Sequence, residues 1–309
     1  MIVDVLKKYR IVILFVVITV TSVLLIVYLS RFDYWIGDYK YHFYLDRKEA
    51  HIVEYRGKDE VLYVPDKIGP FPVVYVDMYV FDGIDTIKEV HVTNTPQYVV
   101  FFNLGEMNKV FFDERISSFD YDFNNCNKIK KIVFPEGLQE ISGGFPNCSS
   151  LVDVYLPKSI SRISLHAFIG TQFEANHSND KYYVAGNGVL VFCNVNLNED
   201  VVIPSGVKNC CVSLVLEKEH SDRKIFFPET LERINNIVFA GDIFYFGGEE
   251  FTELDIYGKG GLIVAPADSP MAKYCEENNI NFRPMTEEEE KEWREKTEAA
   301  ASEITYQDE

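Results

Sequence analysis

Six cysteines, six histidines and the run Asp120-Tyr-Asp122-Phe-Asn124 are the residues of this 309-residue chain whose types suit chemistry. The run spaces its oxygen-bearing side chains as the start of a calcium loop does. Such a loop also needs a glycine at its sharp turn and a bidentate glutamate at its end. Asn125 stands at the first of these positions and Lys131 at the second, so no calcium site is expected. Histidines 42, 51, 91, 166, 177 and 220 show no paired ligand spacing, and neither do Cys193, Cys211 and Cys275; no metal is expected. Gly186-Asn-Gly188 and Gly258-Lys-Gly260-Gly261 read as turn glycines, and no nucleophile elbow, phosphate loop or dinucleotide fingerprint appears. The expectation is therefore no catalytic residue and no cofactor, with a surface hydrolase as the least favoured alternative. Asn147-Cys-Ser and Asn176-His-Ser match the glycosylation sequon, which matters only in a host that glycosylates.

The elements that carry these residues follow from a period. Ile129, Ile132, Phe134, Pro135, Leu138, Ile141 and Phe145 recur 22 residues on as Leu151, Val154, Leu156, Pro157, Ile160 and Ile163, with Phe168 one position late. They recur 22 residues earlier as Met107, Val110, Phe112, Asp113, Ile116, Phe119 and Phe123, and once more from Ile87. Imperfect copies start at Leu62, Val201 and Ile225, and Phe251, Leu254 and Ile256 suggest a last strand. Alternating apolar residues before the Pro make a short strand, and Pro ends it because it has no N–H to donate. One such coil cannot bury its own edges, so copies must stack. The excursions near 170–198, 211–223 and 242–250 read as loops. Cys126 and Cys148 share one slot, and Cys210 falls in the slot of Ile141 and Ile163, so all three read as small buried hydrophobes. Stacking at ~4.8 Å leaves a Cys126–Cys148 bridge geometrically conceivable.

The segment Asn147-Cys148-Ser-Ser-Leu151, continued through Pro157, Ile160, Ile163 and Ala167-Phe168, resembles the BspA-like leucine-rich repeat. Ile68-Gly69-Pro70-Phe71-Pro72 resembles the opening repeat of such proteins, and Ile256-Tyr257-Gly258 through Phe282 their closing cap. Ser142, Ser164 and Asn235 depart from the pattern where Gly usually follows the Ile of the turn. The resemblance covers about residues 41–285 and implies a leucine-rich-repeat solenoid, mostly β with one parallel strand per coil and short helical turns. It also implies a cell-surface role in adhesion and protein binding.

The repeat exposes two outward columns on the strands. Two residues before each Pro slot stand His91, Phe111, Val133, Tyr155, Val202 and Phe226; four before stand Glu89, Lys109, Lys131, Asp153, Asp200 and Lys224. The first is an apolar and aromatic stripe, the second a row of alternating charge. A contiguous stripe of this kind marks a contact surface, although β-branched and aromatic residues also favour exposed strand positions for local reasons. The candidate ligand-binding residues are His91, Phe111, Val133, Tyr155 and Phe226, with Lys109, Lys131 and Asp153 beside them.

Ile11 to Ser30 carry no charge and are long enough to cross a bilayer. Residues 11–30 therefore read as a single transmembrane signal anchor in preference to a cleaved signal, because Tyr28 and Ser30 make a poor cleavage site. Residues 1–10, with Lys7, Lys8 and Arg10, would stay cytoplasmic and the bulk of the chain would lie outside the cell. Residues 31–60 read as a juxtamembrane segment and capping hairpin, 61–285 as the repeat domain with its cap. Residues 286–309 read as an acidic helical tail opened by a Thr286/Glu289 capping box. With Trp293 and Ile304 its main apolar groups, that tail is expected to be solvated. The net charge of −18 divides into +3 over residues 1–31 and −21 beyond, which excludes a nucleic-acid backbone binder. These features predict a membrane-anchored module that binds an extracellular protein or glycan through the strand face. The alternative is a scaffold assembling with other membrane proteins of the same cell.

Overall fold

The computed structural model describes residues 14–22, 32–93, 99–196, 198–210, 223–239, 242–247, 253–258 and 261–307. The chain winds as a mostly-β solenoid of about nine turns. One wall is the predicted row of strands. Val61–Tyr63, Glu89–Val92 and Lys109–Phe112 form a parallel sheet, Lys131–Val133 pairs with Asp153–Tyr155, and Val201–Val202 begins a third sheet. That third sheet continues through Lys224–Phe226, Ile243–Tyr245, Leu262–Ala265 and Phe282–Pro284. After the Pro slots the chain reverses in i→i+3 turns: Leu138 donates to the Pro135 carbonyl, Ile160 to Pro157, Val207 to Pro204 and Leu231 to Pro228. Gly137 and Gly206, inside two of these turns, have φ of +94° and +99°, a region open to glycine at no steric cost.

The slots inside the coils form continuous stacks. Phe101, Phe123 and Phe145 lie face to face, 4.8 and 5.1 Å apart, and are fully buried. Each buried Phe contributes roughly 1.5–3 kcal/mol, and an aromatic pair about 0.5–1.5 more. Asn103, Asn125 and Asn147 occupy successive turns with φ of 55–58°, the left-handed region that Asn tolerates best after Gly. Asn125 donates to the Asn103 side chain across one coil spacing. The residue that replaced glycine in the calcium-like run is therefore a turn residue of the repeat.

An antiparallel hairpin, Tyr39–Tyr44 with Glu49–Tyr55, precedes the first coil, and Glu49–Tyr55 pairs parallel with Phe71–Val76. Two excursions read as loops are built otherwise. Residues 170–198 hold a short helix, Gln172–Asn176, and a hairpin, Tyr182–Ala185 with Val189–Cys193. That hairpin joins the opposite wall and leaves the strand face uncovered. Buried side chains at all four positions of Tyr182–Ala185 explain why it packs. Within 242–250, Ile243–Tyr245 is a further strand of the row. The 211–222 excursion, Cys211 and Phe251 lie outside the described residues.

Of the 11–30 segment, residues 14–22 are described; they are helical and exposed. Among the described residues no helix is long and apolar enough to cross a membrane. The rest of the segment and the 1–10 flank lie outside the described residues.

The tail departs from the solvated expectation. The helix Glu287–Ala300 lies against the row, with Trp293 fully buried. Strand Ile304–Tyr306 then joins Tyr182–Ala185 in parallel. Trp293, Thr297 and Ala300 are the buried residues of the helix, at i, i+4 and i+7 on one face. One large residue followed by two small ones makes a narrow stripe that an average over the tail's acids conceals.

Candidate functional site

Strand register builds the outward column. Tyr63 stands opposite His91 and His91 opposite Phe111; Val133 stands opposite Tyr155. Beyond the inserted hairpin, Val202, Phe226, Tyr245, Val264 and Arg283 stand opposite one another in turn. The predicted stripe thus has Tyr63 before it and Tyr245 and Val264 after it, and it divides at Tyr155. Tyr63 belongs to the imperfect first unit, and Tyr245 to the excursion read as a loop.

The two parts differ in cover. Tyr63, Phe111 and Val133 are 58%, 46% and 50% exposed, and His91 and Tyr155 are half-buried. Rings stack along this part, Tyr63 on His91 at 4.3 Å and His91 on Phe111 at 4.9 Å. The His91 Nε2 lies 2.6 Å from a Glu89 carboxylate oxygen, which holds the imidazole in the stack. The Tyr155 hydroxyl donates to Glu136. Lys109 and Lys131, on adjacent coils of the neighbouring column, are exposed and have no ion-pair partner among the described residues.

Phe226 is not available to a ligand: it is 1% exposed. Phe226 stacks on Tyr245 at 4.7 Å, and the tail helix covers both. The buried indole of Trp293 donates from Nε1 to the Phe227 carbonyl at 2.7 Å, leaving no polar atom of the ring unpaired. The Lys296 ammonium sits 4.3 Å from the Phe226 ring centroid, and Arg294 bonds Glu229. Gly247 leaves room for the indole, since a Cβ there would come within 1.9 Å of the ring. At the start of the helix, Arg283 grips Glu289 with two nitrogens at 2.6 and 2.8 Å, and the Thr286 N–H donates to Glu289. The Arg283 hydrogen bonds, with the Thr286 N–H, hold the Glu289 carboxyl down at about 2.

At the other end of the tail, the Gln307 side chain accepts from the Leu156 N–H and donates to its carbonyl, taking the place of a neighbouring strand. A concavity of about 360 Å³ opens beside it, with Tyr155, Lys158, Val184 and Tyr306 among its walls. It lies where the uncovered part of the stripe ends.

The residues singled out for chemistry are placed apart. Among the described residues no group of three or more His, Cys, Asp or Glu could hold a metal ion. Cys126, Cys148, Cys193, Cys210 and Cys275 are free. The Cys126 thiol donates to the Asn124 carbonyl and the Cys148 thiol to the Phe123 carbonyl; the neighbouring Cys126 and burial push Cys148 up, and neither side chain reaches solvent. Burial pushes Cys193 up to about 12 and Cys275 to about 11, the reverse of an activated thiol. The Arg223–Asp242 pair had no signal in the repeat arithmetic. It is bidentate at 2.5 and 3.1 Å, with both side chains under 5% exposed. It clamps the coil that leads into Lys224–Phe226.

The fold and its outward column define a parallel-strand repeat protein with an organised strand face. Residues 68–174 and 120–243 match the BspA type leucine-rich repeat region in six copies. The matches together span more than half of the 309 residues, and the chain belongs to that family. No curated protein matches it. Among solved structures it is similar to a leucine-rich repeat protein of T. pallidum, at 17% identity and TM-score 0.38, over 82% of this chain and 98% of that one. It is also similar to a leucine-rich cell surface protein of Faecalibacterium prausnitzii, at 14% identity and TM-score 0.32, over 85% of this chain and 97% of that one. At such scores the likenesses carry no argument, and membership rests on the repeats.

Proposed function

We propose that the chain is a surface-displayed binding module that recognises a protein through the uncovered part of the strand face, from Tyr63 to Tyr155. The observation that carries this reading is the contrast in cover. One repeated slot gives an outward column in two parts, one sealed by the chain's own helix and the other left open, with Phe111 and Val133 half-exposed. A solvated column of this kind gains free energy when a partner removes it from water. The stacking favours a protein over a glycan. Sugars pack on ring faces, and the faces of His91 are taken by Tyr63 and Phe111.

Residues 11–30 anchor the module in the membrane in this reading, with the basic 1–10 flank inside the cell. The exposed helical stretch at 14–22 and the uncharged run around it support this. Cells displaying the full chain should capture a soluble partner from host extract, and a Tyr63→Ser, Phe111→Ser, Val133→Ser variant should lose it at equal surface expression. Capture that survives the triple substitution excludes this surface. Protease added to intact cells should remove the repeat region; complete protection would overturn the topology. Replacing residues 11–30 with an unrelated span tests the scaffold alternative, because only lateral assembly in the membrane depends on the span's own side chains.

A further inference from the structure

The covered part of the stripe shows what the chain's own tail places on it. A stacked aromatic pair in the outward column, Phe226 on Tyr245, is met by a helix with one buried aromatic, Trp293. The helix carries its acids around that anchor; Glu292 is held first by Lys296 of the same helix and also by the charge of Lys224, at the neighbouring outward position of the strand that carries Phe226. The uncovered part repeats these components. Tyr63, His91 and Phe111 make the stack. Lys109 and Lys131 occupy the slot held by Lys224, and Lys109 shares the register of Glu89. Glu89 is engaged with His91 and Asp153 lies at the far end of the column, so the middle of the column is positive.

Lengths also agree. Five strands from Tyr63 to Tyr155, at ~4.8 Å each, span roughly 19 Å; a helix the length of the tail helix, 14 residues, is roughly 21 Å long. The tail, moreover, ends its described course at Gln307 against Leu156, beside the concavity walled by Tyr155 and Tyr306. The concavity at that junction offers a seat for an aromatic residue of a second helix.

We propose that the uncovered row takes an acidic amphipathic helix of a partner protein, with a single aromatic anchor, docked as the chain's own tail helix docks. The inference rests on the binding reading above and names the chemistry of the partner. The carboxylates of that helix face Lys109 and Lys131, its apolar face lies along Phe111 and Val133, and its anchor enters the concavity beside Tyr155.

The test uses the full chain in detergent micelles and two fluorescent peptides. One has the sequence of residues 286–300; the other has the same composition, reordered so that Trp, Thr and Ala no longer share a helical face. The first should bind at least tenfold more tightly than the second. Phe111→Ser with Val133→Ser should weaken it at least tenfold while leaving the circular dichroism unchanged, as half-exposed positions allow. Lys109→Glu with Lys131→Glu should weaken it further in low salt and less in high salt. Phe226→Ser should leave the affinity within twofold. Equal binding of the two peptides, no binding, or binding lost only in Phe226→Ser, which signals exchange with the chain's own tail, would each overturn the inference. If cells capture a partner through Tyr63, Phe111 and Val133 while both peptides are ignored, the helix is wrong and the binding surface stands.

Discussion

The two parts of the strand face use one rule of construction and end in opposite states. In the row from Tyr63 to Tyr155 the outward column meets water; in the row from Val202 to Val264 it is a secondary core with its own buried cluster of Phe226, Tyr245, Val264 and Trp293. Repeats specify where an outward residue stands, but not whether it stays outward. A chain segment from elsewhere decides that, and here it is the tail. The same residue type in the same slot, Phe111 and Phe226, is therefore a contact surface in one coil and a structural residue in another.

The largest effect should come from removing what separates the two states. Trp293→Ala deletes a fully buried indole and leaves the Phe227 carbonyl without its donor. A loss of about 3–5 kcal/mol is expected for a buried Trp. Because repeat arrays lose cooperativity in parts, the loss should be local. Amide exchange should quicken in Lys224–Phe226 and Ile243–Tyr245 and stay slow in Glu89–Val92. Uniform quickening along both rows would mean that the tail supports the whole solenoid, and the division drawn here would fail.

Next in size is the pair of substitutions at equivalent slots. Phe226→Ser should cost about 3 kcal/mol, as large-to-small changes in cores do, whereas Phe111→Ser at 46% exposure should cost no more than ~0.5 kcal/mol. Denaturant unfolding of the two variants, followed at the same wavelength, measures the gap. Similar costs would show that Phe111 is structural and would remove it from the binding surface.

The repeat was legible in the sequence because its slots are local. Ile132, Val154 and Ile225 are buried where the period places them, and Pro135, Pro157, Pro204 and Pro228 are each followed by an i→i+3 turn. What the sequence concealed is non-local. Phe226 reads like Phe111, and only Trp293, 67 residues further on, separates them. Glu289 reads as a capping-box residue, which it is, and its grip by Arg283 adds a contact between the cap strand and the tail. The strand Ile243–Tyr245 was hidden for another reason: its unit has Gly247 in the slot where Pro135, Pro157, Pro204 and Pro228 mark most of the others. Trp293 with Thr297 and Ala300 had the right helical spacing, but small residues weigh little in a hydrophobic pattern.

The smallest effect is a dependence on acidity that should distinguish the two rows. Glu289 has a carboxyl at about 2 in the folded chain, held there first by Arg283, against ~4.3 when unfolded. A depressed folded value means that the contribution is complete above the unfolded value and lost as pH falls through the folded one. The tail should therefore loosen between about pH 4.3 and pH 2. Arg283 is 40% exposed, so solvent screening keeps the contribution near ~0.5–1 kcal/mol. In a Trp35→Phe background Trp293 is the remaining tryptophan of the two in the chain. Its emission should shift to the red over this window, and Glu289→Gln should remove most of that shift. An unchanged titration in Glu289→Gln would show that other carboxylates, Glu292 beside Lys296 among them, release the tail. Peptide binding to the uncovered row should in either case respond to the charge of Lys109 and Lys131 and not to Glu289, because neither lysine meets the tail in the described ion pairs.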